Sequence, residues 1–225
     1  LADYVGAYDQ KMVMKRENIA NTGIWTAKKR YILNVWDSEG VRYEKPKLKI
    51  MGLEAVKSST PGACRTAIKE CMTVIVNEDE ESAQAFIAKF RDEFTSLPVE
   101  DISFPRGCNN LNKWSHPATL YSKGTPIHVR GALLYNFYNK KNKLTHKYPL
   151  IQNGEKIKFV YLKTPNKINE NVISYLGTFP KEFGLDKHVD YDLQFTKSFL
   201  EPIKVIMDTI GWQAEKVPSL EFLFG

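Results

Sequence analysis

Aspartate and histidine residues are the ones in this sequence that could support metal or acid–base chemistry. Asp190 and Asp192 resemble a pair of metal-binding carboxylates, but they lie in a helical pattern, where residues two apart do not face each other. The four histidines, at positions 116, 128, 146 and 188, have no H-x-x-x-H spacing. No G-x-x-x-x-G-K-[ST] loop or G-x-S-x-G elbow occurs. The residues therefore predict binding without visible catalysis, and a metal enzyme built on the two aspartates is kept as an alternative.

The run K-K-R-Y at residues 28–31 places three positive charges at the start of an apolar, strand-like segment. On a strand, Lys28 and Arg30 would share one face, and Lys29 and Tyr31 the other. Phosphates along a nucleic-acid strand need cations at short intervals, and a planar ring can pack on sugars or bases. The pattern therefore favours contact with a polyanion.

Other fragments could extend this basic surface. Lys47 and Lys49 would share one face of a later strand, opposite Leu48 and Ile50. Lys57 stands before a predicted helix N terminus, whose free amides suit a phosphate. The fragments C-N-N at 108–110 and H-V-R-G at 128–131 supply uncharged donors and one further cation. Together these fragments favour nucleic-acid binding over an unevenly charged, solvated face.

Charge is distributed in blocks along the 225 residues, whose formal net charge is +6. Residues 11–69 contain thirteen Lys/Arg and five Asp/Glu, whereas residues 70–101 contain two and nine. A basic face for a polyanion and an acidic helical face turned to water would explain this division. No apolar stretch approaches 18 residues, so no membrane partner is expected. The three cysteines lack C-x-x-C spacing, which favours a reducing cytoplasm, with Cys64 and Cys71 packed in the core.

The elements that must position these residues follow from hydrophobic periodicity, which predicts an α+β fold. Strands are predicted over 11–18, 28–36, 41–44 and 46–54, with turns over 21–25 and 37–40; the strand at 41–44 is the return strand of a hairpin. A helix is predicted with Thr60 as N-cap and Pro61 as its first residue, and a second within 80–97. The middle of the chain is read as short strands and turns, including an alternating run at 154–163. The last helix, within 188–212, should kink or break at Pro202.

The final residues form an apolar end to the chain. Leu220, Phe222, Leu223 and Phe224 follow the helix breaker Pro218. Such a segment either docks on its own core as a last strand or enters a pocket of another protein.

Several of these fragments, taken in order, resemble one protein family. The run TAKKRYILNVWDSEGVRYEKPKLKIMGLEAVKSSTP resembles the distal palm and palm–thumb junction of B-family DNA polymerases, especially the replicative enzymes of tailed phages. ISFPRGCNN, TPIHVRGALLYN, GEKIKFVYL and SFLEPI resemble thumb segments, and SLEFLFG resembles the peptide that holds the sliding clamp. The resemblance implies a small antiparallel palm segment at 1–56, a mixed helical and β thumb at 57–216, and a clamp-binding peptide at 217–225.

The resemblance also implies roles for individual residues. Residues of the K-K-R-Y run and of the later basic strand would grip the primer–template near its growing 3′ end, through groove acceptors common to all correct base pairs. Thumb positions would hold the duplex backbone, and residues of the final segment would bind the clamp. The implied DNA-binding set is Lys28, Lys29, Arg30, Tyr31, Lys47, Lys49, Lys57, Ser58, Ser59, Asn109, Asn110, His128 and Arg130; the implied clamp-binding set is Leu220, Leu223 and Phe224.

Polymerases of this family hold two metal ions with palm aspartates in S-L-Y-P-S and D-T-D motifs. Neither motif occurs in this sequence. The resemblance therefore implies no cofactor in this chain, with Mg²⁺ in an assembled polymerase whose exonuclease, palm and fingers come from an N-terminal portion. The expected partners are that portion, primer–template DNA and the sliding clamp, in the cytoplasm of a host cell. A stand-alone, non-catalytic DNA-binding or scaffold protein that retains thumb segments is the alternative.

Overall fold

The computed structural model describes residues 15–216. Its first sheet has three antiparallel strands in the order β1 (Asn18–Ala27), β2 (Arg30–Ser38) and β3 (Val41–Met51). Ile24 of β1 pairs with Ile32 of β2, which pairs with Ile50 of β3. Ile24 and Ile32 are buried and Ile50 packs against the same core, so one face of this sheet points inward.

Two predictions for the first strand are wrong. Residues 15–17 are not in a strand, residues 11–14 lie outside the described part of the chain, and 21–25, predicted as a turn, lie within β1. The turn-like letters N-T-G are overridden because Thr22, Ile24 and Thr26 alternate inward and their backbone pairs with β2. The chain reverses later, at Lys28 and Lys29.

The second turn and the third strand follow the prediction more closely. Gly40 N–H donates a 3.0 Å hydrogen bond to Asp37 Oδ1, which closes the predicted turn at 37–40. The return strand predicted at 41–44 and the strand predicted over 46–54 form one strand, β3, which continues through Pro46. Leu48 packs against the core with Ile50, as the alternation predicted.

Two helices follow, α1 (Gly62–Asn77) and α2 (Glu80–Phe94), after a short 3₁₀ turn at Glu54–Val56. The N-cap of α1 is Pro61 rather than the predicted Thr60, because the Pro61 backbone is extended and its carbonyl accepts the first helical bond, from Arg65 N–H. The predicted core packing of Cys64 and Cys71 on α1 is confirmed, since both are fully buried. Their burial raises the pKa of the Cys64 thiol to about 11 and that of Cys71 to about 12.

The middle of the chain forms a second antiparallel sheet with a helix on it. Its strands, in the order β4, β7 and β8, are Phe104–Cys108, Glu155–Tyr161 and Val172–Tyr175. The one-turn helix α3 (Val99–Ile102) precedes β4. Between β4 and β7 lie the helices α4 (Leu111–Trp114) and α5 (Ile127–Lys141) and two paired two-residue strands, β5 (Ser115–His116) and β6 (Leu120–Tyr121). Strand β7 confirms the alternating run predicted at 154–163.

The prediction of only short strands and turns in this region missed α5. Its buried residues include Val129, Ala132 and Tyr135, but Leu133 and Tyr138 are only partly covered and Phe137 is exposed. Apolar residues thus surround much of the helix, which weakens the 3.6-residue contrast between its faces.

The C-terminal helix contains a π-helical stretch just before Pro202, where a kink or break was predicted, and it continues without a break. Helices α6 (Tyr191–Phe195) and α7 (Glu201–Thr209) are joined by π-helical residues Thr196–Leu200. Pro202 has no N–H for an i→i−4 bond, and the π-helical stretch just before it accommodates that loss without a break. Short 3₁₀ turns at Lys181–Phe183 and Asp186–His188 precede this helix.

One continuous core joins these elements. Ile24 and Ile32 of the first sheet belong to the same buried cluster as α1, α5 and the C-terminal helix. Phe94 of α2 packs edge-on against Phe195, with ring centroids 5.4 Å apart. These helices and small antiparallel sheets make the fold α+β, as predicted. In the described part of the chain, no helix combines the length and apolar character needed to cross a membrane.

Candidate nucleic-acid interface

The hairpin tip between β1 and β2 carries the first two cations of the K-K-R-Y run. Ala27 pairs with Arg30, so Lys28 and Lys29 form a two-residue turn, and Lys29 has a left-handed φ of 63°. The predicted alternation of these two lysines across a strand is therefore wrong. Both are exposed, because a loop tip keeps charged side chains in water.

The backbone of Gly52 packs closely against the backbone of this tip. Its φ is +66°, and a Cβ at this position would lie 2.4 Å from the Lys29 carbonyl oxygen. Only a residue without a side chain permits both this backbone conformation and this close approach. The turn is therefore seated directly on the end of β3.

Arg30, the third cation of the run, is tied to a carboxylate. Its Nη2 donates to both oxygens of Glu54, at 3.2 and 3.1 Å. Lys57 Nζ donates to Glu54 Oε1 at 2.8 Å. Glu54 thus links β2 to the loop that enters α1, and it orders two of the predicted DNA-binding cations.

The protonation of Glu54 reflects this environment. Burial acts to raise the pKa of its carboxyl, but the Lys57 hydrogen bond and the nearby Arg30 charge outweigh burial, so the pKa lies below its ordinary value of 4.5. Glu54 is therefore ionised at neutral pH, which keeps both cations beside it.

The loop before α1 is held from the second sheet. Arg106 of β4 donates from Nη1 to the Ser59 carbonyl oxygen at 2.9 Å. Ser58 is exposed and Ser59 is half-buried, so of the two predicted serines Ser58 is the more accessible. Sequence reasoning missed Arg106, although it stands in the quoted run ISFPRGCNN.

The outer face of the first sheet, defined here by Trp25, Tyr31, Lys47 and Lys49, brings rings and cations together. Trp25 is 60 % exposed, and its ring centroid is 6.3 Å from that of Tyr31. Lys47 Nζ lies 4.1 Å from the Tyr43 ring centroid. Lys49 donates to Glu17 Oε1 at 2.7 Å, a bond that lowers the pKa of Glu17. The register predicted for Lys47 and Lys49 agrees with this arrangement.

The first turn of α5 carries His128 and Arg130. Burial, aided by the charge of Arg106, lowers the pKa of His128, so this side chain is neutral at pH 7. Arg130 donates to Asn171, lies 3.9 Å from Glu170 through Nε, and covers the Tyr121 ring. His128 therefore adjoins Arg106, whereas Arg130 is largely engaged by its own fold.

Asn109 and Asn110 follow the end of β4, and both are exposed. Asn110 has a left-handed φ of 60° and stands at the start of α4. Asparagine tolerates this conformation better than most residues. The two residues lie three and four positions beyond Arg106 on the same segment.

The two aspartates considered for a metal site have other partners. Asp190 Oδ1 accepts from Leu193 N–H at 3.1 Å and caps α6. Asp192 pairs with Lys163 at 3.2 Å. Across residues 15–216 no three His, Cys, Asp or Glu side chains converge as metal ligands would. The assembled surface presents cations, amides and rings, which suits a polyanion.

The predicted clamp-binding residues Leu220, Leu223 and Phe224 lie outside the described residues. Among the other predicted positions, Arg30 and Lys57 are joined by hydrogen bonds to Glu54, and Ser59 is held by Arg106. Lys47, Lys49, Asn109, Asn110 and Arg130 do not take part in these contacts.

The amino-acid sequence of this chain is similar to sequences of known proteins. The chain matches no protein-family model. It is 34 % identical over 237 aligned positions to a DNA-directed DNA polymerase of Enterobacteria phage T4, and 36 % identical over 236 to one of Escherichia phage RB69. Each alignment covers all of this chain and 26 % of the relative. This chain is thus similar along its whole length to phage DNA-directed DNA polymerases, and it spans about a quarter of the length of the relatives it matches.

Proposed function

We propose that this chain is the DNA-holding, C-terminal part of a B-family phage DNA polymerase. In this proposal residues 1–56 are distal palm, 57–216 thumb and 217–225 a clamp-binding peptide. The observation that carries it is the similarity of the whole chain to about a quarter of each of two phage polymerases. The exposed lysine pair at the hairpin tip supports it, since a duplex needs such cations.

Lys28 and Lys29 would contribute to duplex binding differently from the cations that are hydrogen-bonded to Glu54. Within residues 15–216 neither Lys28 nor Lys29 takes part in an ion pair, so both can neutralise phosphates or reach groove acceptors. Arg30 and Lys57 share Glu54, which fixes where their positive charge lies. Contacts of this kind follow the backbone and ignore sequence.

Nucleotide transfer is not assigned to this chain. The palm aspartates that hold Mg²⁺ in such enzymes belong to motifs this sequence lacks. The chain would complete a polymerase whose exonuclease, palm and fingers are supplied by an N-terminal portion.

We also propose that Leu220, Leu223 and Phe224 bind the sliding clamp. A peptide tether raises the effective concentration of the polymerase at its template, so even a weak contact would increase processivity.

Fluorescence anisotropy of the full 225-residue chain with a labelled duplex tests the DNA-binding proposal. Lys28→Ala/Lys29→Ala should weaken binding about tenfold and reduce the slope of log K against log salt by about 2, because about 0.9 counterion is released per neutralised phosphate. Unrelated duplex sequences should lose affinity equally.

Lys69→Ala/Lys89→Ala, which removes the same charge from exposed positions on α1 and α2, is the matched control and should change binding little. A salt-independent affinity of the unmodified chain, or equal losses in the two double variants, would overturn the DNA-facing assignment.

A further inference from the structure

A second basic surface lies outside the first sheet, in a stretch of the chain without carboxylates. Between residues 102 and 154 the sequence has eight Lys/Arg and no Asp or Glu. No other stretch of the sequence runs as long without an Asp or Glu, so this stretch has an unusually uniform positive charge. Such a field attracts a polyanion.

Three lysines of this stretch are concentrated at the end of α5. Lys140 and Lys141 close the helix, and Lys143 follows in a turn with a left-handed φ of 56°. Lys143 N–H donates to the Lys140 carbonyl at 3.0 Å, and Leu144 N–H to that of Asn139 at 2.9 Å. The turn is therefore ordered. All three lysines are exposed, and none forms an ion pair with another residue of the described range.

An exposed aromatic ring accompanies these lysines. Phe137 is 38 % exposed on α5, and its ring meets that of Tyr138 edge-on at 5.1 Å. Lys141 Nζ lies 5.9 and 5.6 Å from the two ring centroids. A ring left in water beside cations is the combination that binds bases by stacking and phosphates by charge.

Phe137 and Lys140 also line a groove of about 730 Å³ between α5, α4 and the loop before β7. Its floor includes Leu111, Leu133 and Ile151, and its rim carries the exposed side chains of Asn112, His116 and Gln152. This volume lies within the range of about 300–1,000 Å³ typical of small-ligand sites. An apolar floor with amides on the rim suits the faces and edges of a nucleobase.

The groove walls are held together by partly buried hydrogen bonds. Asn136 donates to the Ile151 carbonyl at 2.9 Å and accepts from Ile151 N–H at 2.8 Å. Asn153 Oδ1 accepts from Leu111 N–H at 2.7 Å. These bonds fix the walls on α5, on α4 and on the loop, so the groove exists before any ligand binds.

We propose that this groove, with Phe137 and the lysines at the end of α5, binds an unpaired nucleotide of a single-stranded nucleic acid. The base would stack on Phe137 inside the groove, and the adjoining phosphates would contact Lys140, Lys141 and Lys143. A duplex would not fit in this way, because its bases are stacked and paired. The inference stands apart from duplex binding at the hairpin tip.

Anisotropy with labelled single-stranded oligo(dT), oligo(rU) and a blunt duplex tests the proposal on the full chain. Phe137→Ala should weaken binding of the single strand at least about fivefold, as expected when one base loses its stacking partner. Lys140→Ala/Lys143→Ala should lower its salt slope by about 1.4. Affinity for the duplex should stay within about twofold in both variants.

Lys28→Ala/Lys29→Ala provides the reverse control and should weaken duplex binding while leaving the single strand nearly unaffected. Phe137→Leu, which keeps the apolar contact but removes the aromatic face, should behave like Phe137→Ala if stacking is the interaction. Binding of either oligonucleotide supports the site, and a preference for one of the two shows whether the site favours DNA or RNA. No binding of single strands, or equal losses for single strands and duplex, would overturn it.

Discussion

At the scale of single residues, Glu54 organises the basic surface around it. A carboxylate among cations proposed to bind DNA would normally oppose phosphate binding. Here it accepts hydrogen bonds from Arg30 and Lys57 and joins β2 to the entry of α1. The K-K-R-Y run thereby divides into two exposed lysines and one arginine engaged within the fold.

Glu54→Gln should destabilise the chain by about 1 kcal/mol at pH 7, the usual contribution of a partly exposed charged hydrogen bond. Because the folded-state pKa of Glu54 lies below 4.5, the stabilisation is fully present above pH 4.5 and is lost as pH falls through the folded-state pKa. Urea unfolding between pH 3 and 7 should therefore show a difference from the unmodified chain that shrinks at low pH. Glu44→Gln, at an exposed position of β3, is the control; a penalty independent of pH would contradict the role of charge.

Gly52→Ala should disturb the hairpin tip. The new Cβ would meet the Lys29 carbonyl at 2.4 Å at a φ of +66°, so both strain and a backbone clash result. We expect a loss of at least about 2 kcal/mol in the free energy of unfolding and weaker duplex binding.

Gly40→Ala gives the matched comparison for Gly52. Gly40 also has a positive φ, +89°, but a Cβ there would meet nothing within 4 Å. It should therefore cost only the strain, about 1 kcal/mol, and should leave duplex affinity unchanged. Equal effects of the two substitutions would show that the tip does not depend on contact with Gly52.

At the scale of elements, the contact between α5 and β8 depends on Gly131. A Cβ at this position would lie 2.5 Å from Ser174 Oγ and 2.7 Å from Ser174 N. Ser174 Oγ also donates to the His128 carbonyl at 2.8 Å. The helix that carries His128, Arg130 and Phe137 is thus seated on the sheet by close backbone approach.

Gly131→Ala should lower the free energy of unfolding by about 2 kcal/mol or more, measured by urea unfolding, because α5 must move off β8. Helix propensity alone predicts the opposite, a gain of about 1 kcal/mol. Gly62→Ala, at the start of α1 where a Cβ meets nothing within 4 Å, should be nearly neutral or slightly stabilising. A stabilising Gly131→Ala would contradict the packing argument.

At the scale of the whole molecule, the sheet with the hairpin tip and the helical part share one core. The proposed palm segment and thumb would therefore hold DNA as one body around Glu54 and Arg106. In the proposed function this arrangement would supply binding surface, while the metal ligands for nucleotide transfer would come from another polypeptide portion.

A primer-extension assay tests that division of labour. The purified chain alone should incorporate no nucleotide with Mg²⁺ present. Adding the N-terminal portion of a related phage polymerase should give extension, and removal of residues 217–225 should reduce product length on clamp-loaded templates without changing duplex affinity. Incorporation by the chain alone, in a sample free of other polymerases, would refute the proposal.

The sequence predicted the positions of helices, strands and turns better than the contacts between them. The turn at 37–40, helix α2 and strand β7 were predictable because their signals lie within a few neighbouring residues. Helix α5 was missed because apolar residues surround much of it. The first hairpin was misplaced because pairing with β2 overrode the local turn letters of 21–23.

Periodicity and turn chemistry along the chain were enough to establish an α+β fold and a basic segment at 11–69, because both depend on residues close in sequence. The state of each cation depended on folding. Arg30 meets Glu54 from 24 residues away, and Arg106 meets the Ser59 carbonyl from 47 away. No sequence pattern encodes such pairs, since packing of distant segments brings them together. Lys28 and Lys29 are exposed because the pairing of β1 with β2 places the chain reversal at these two residues.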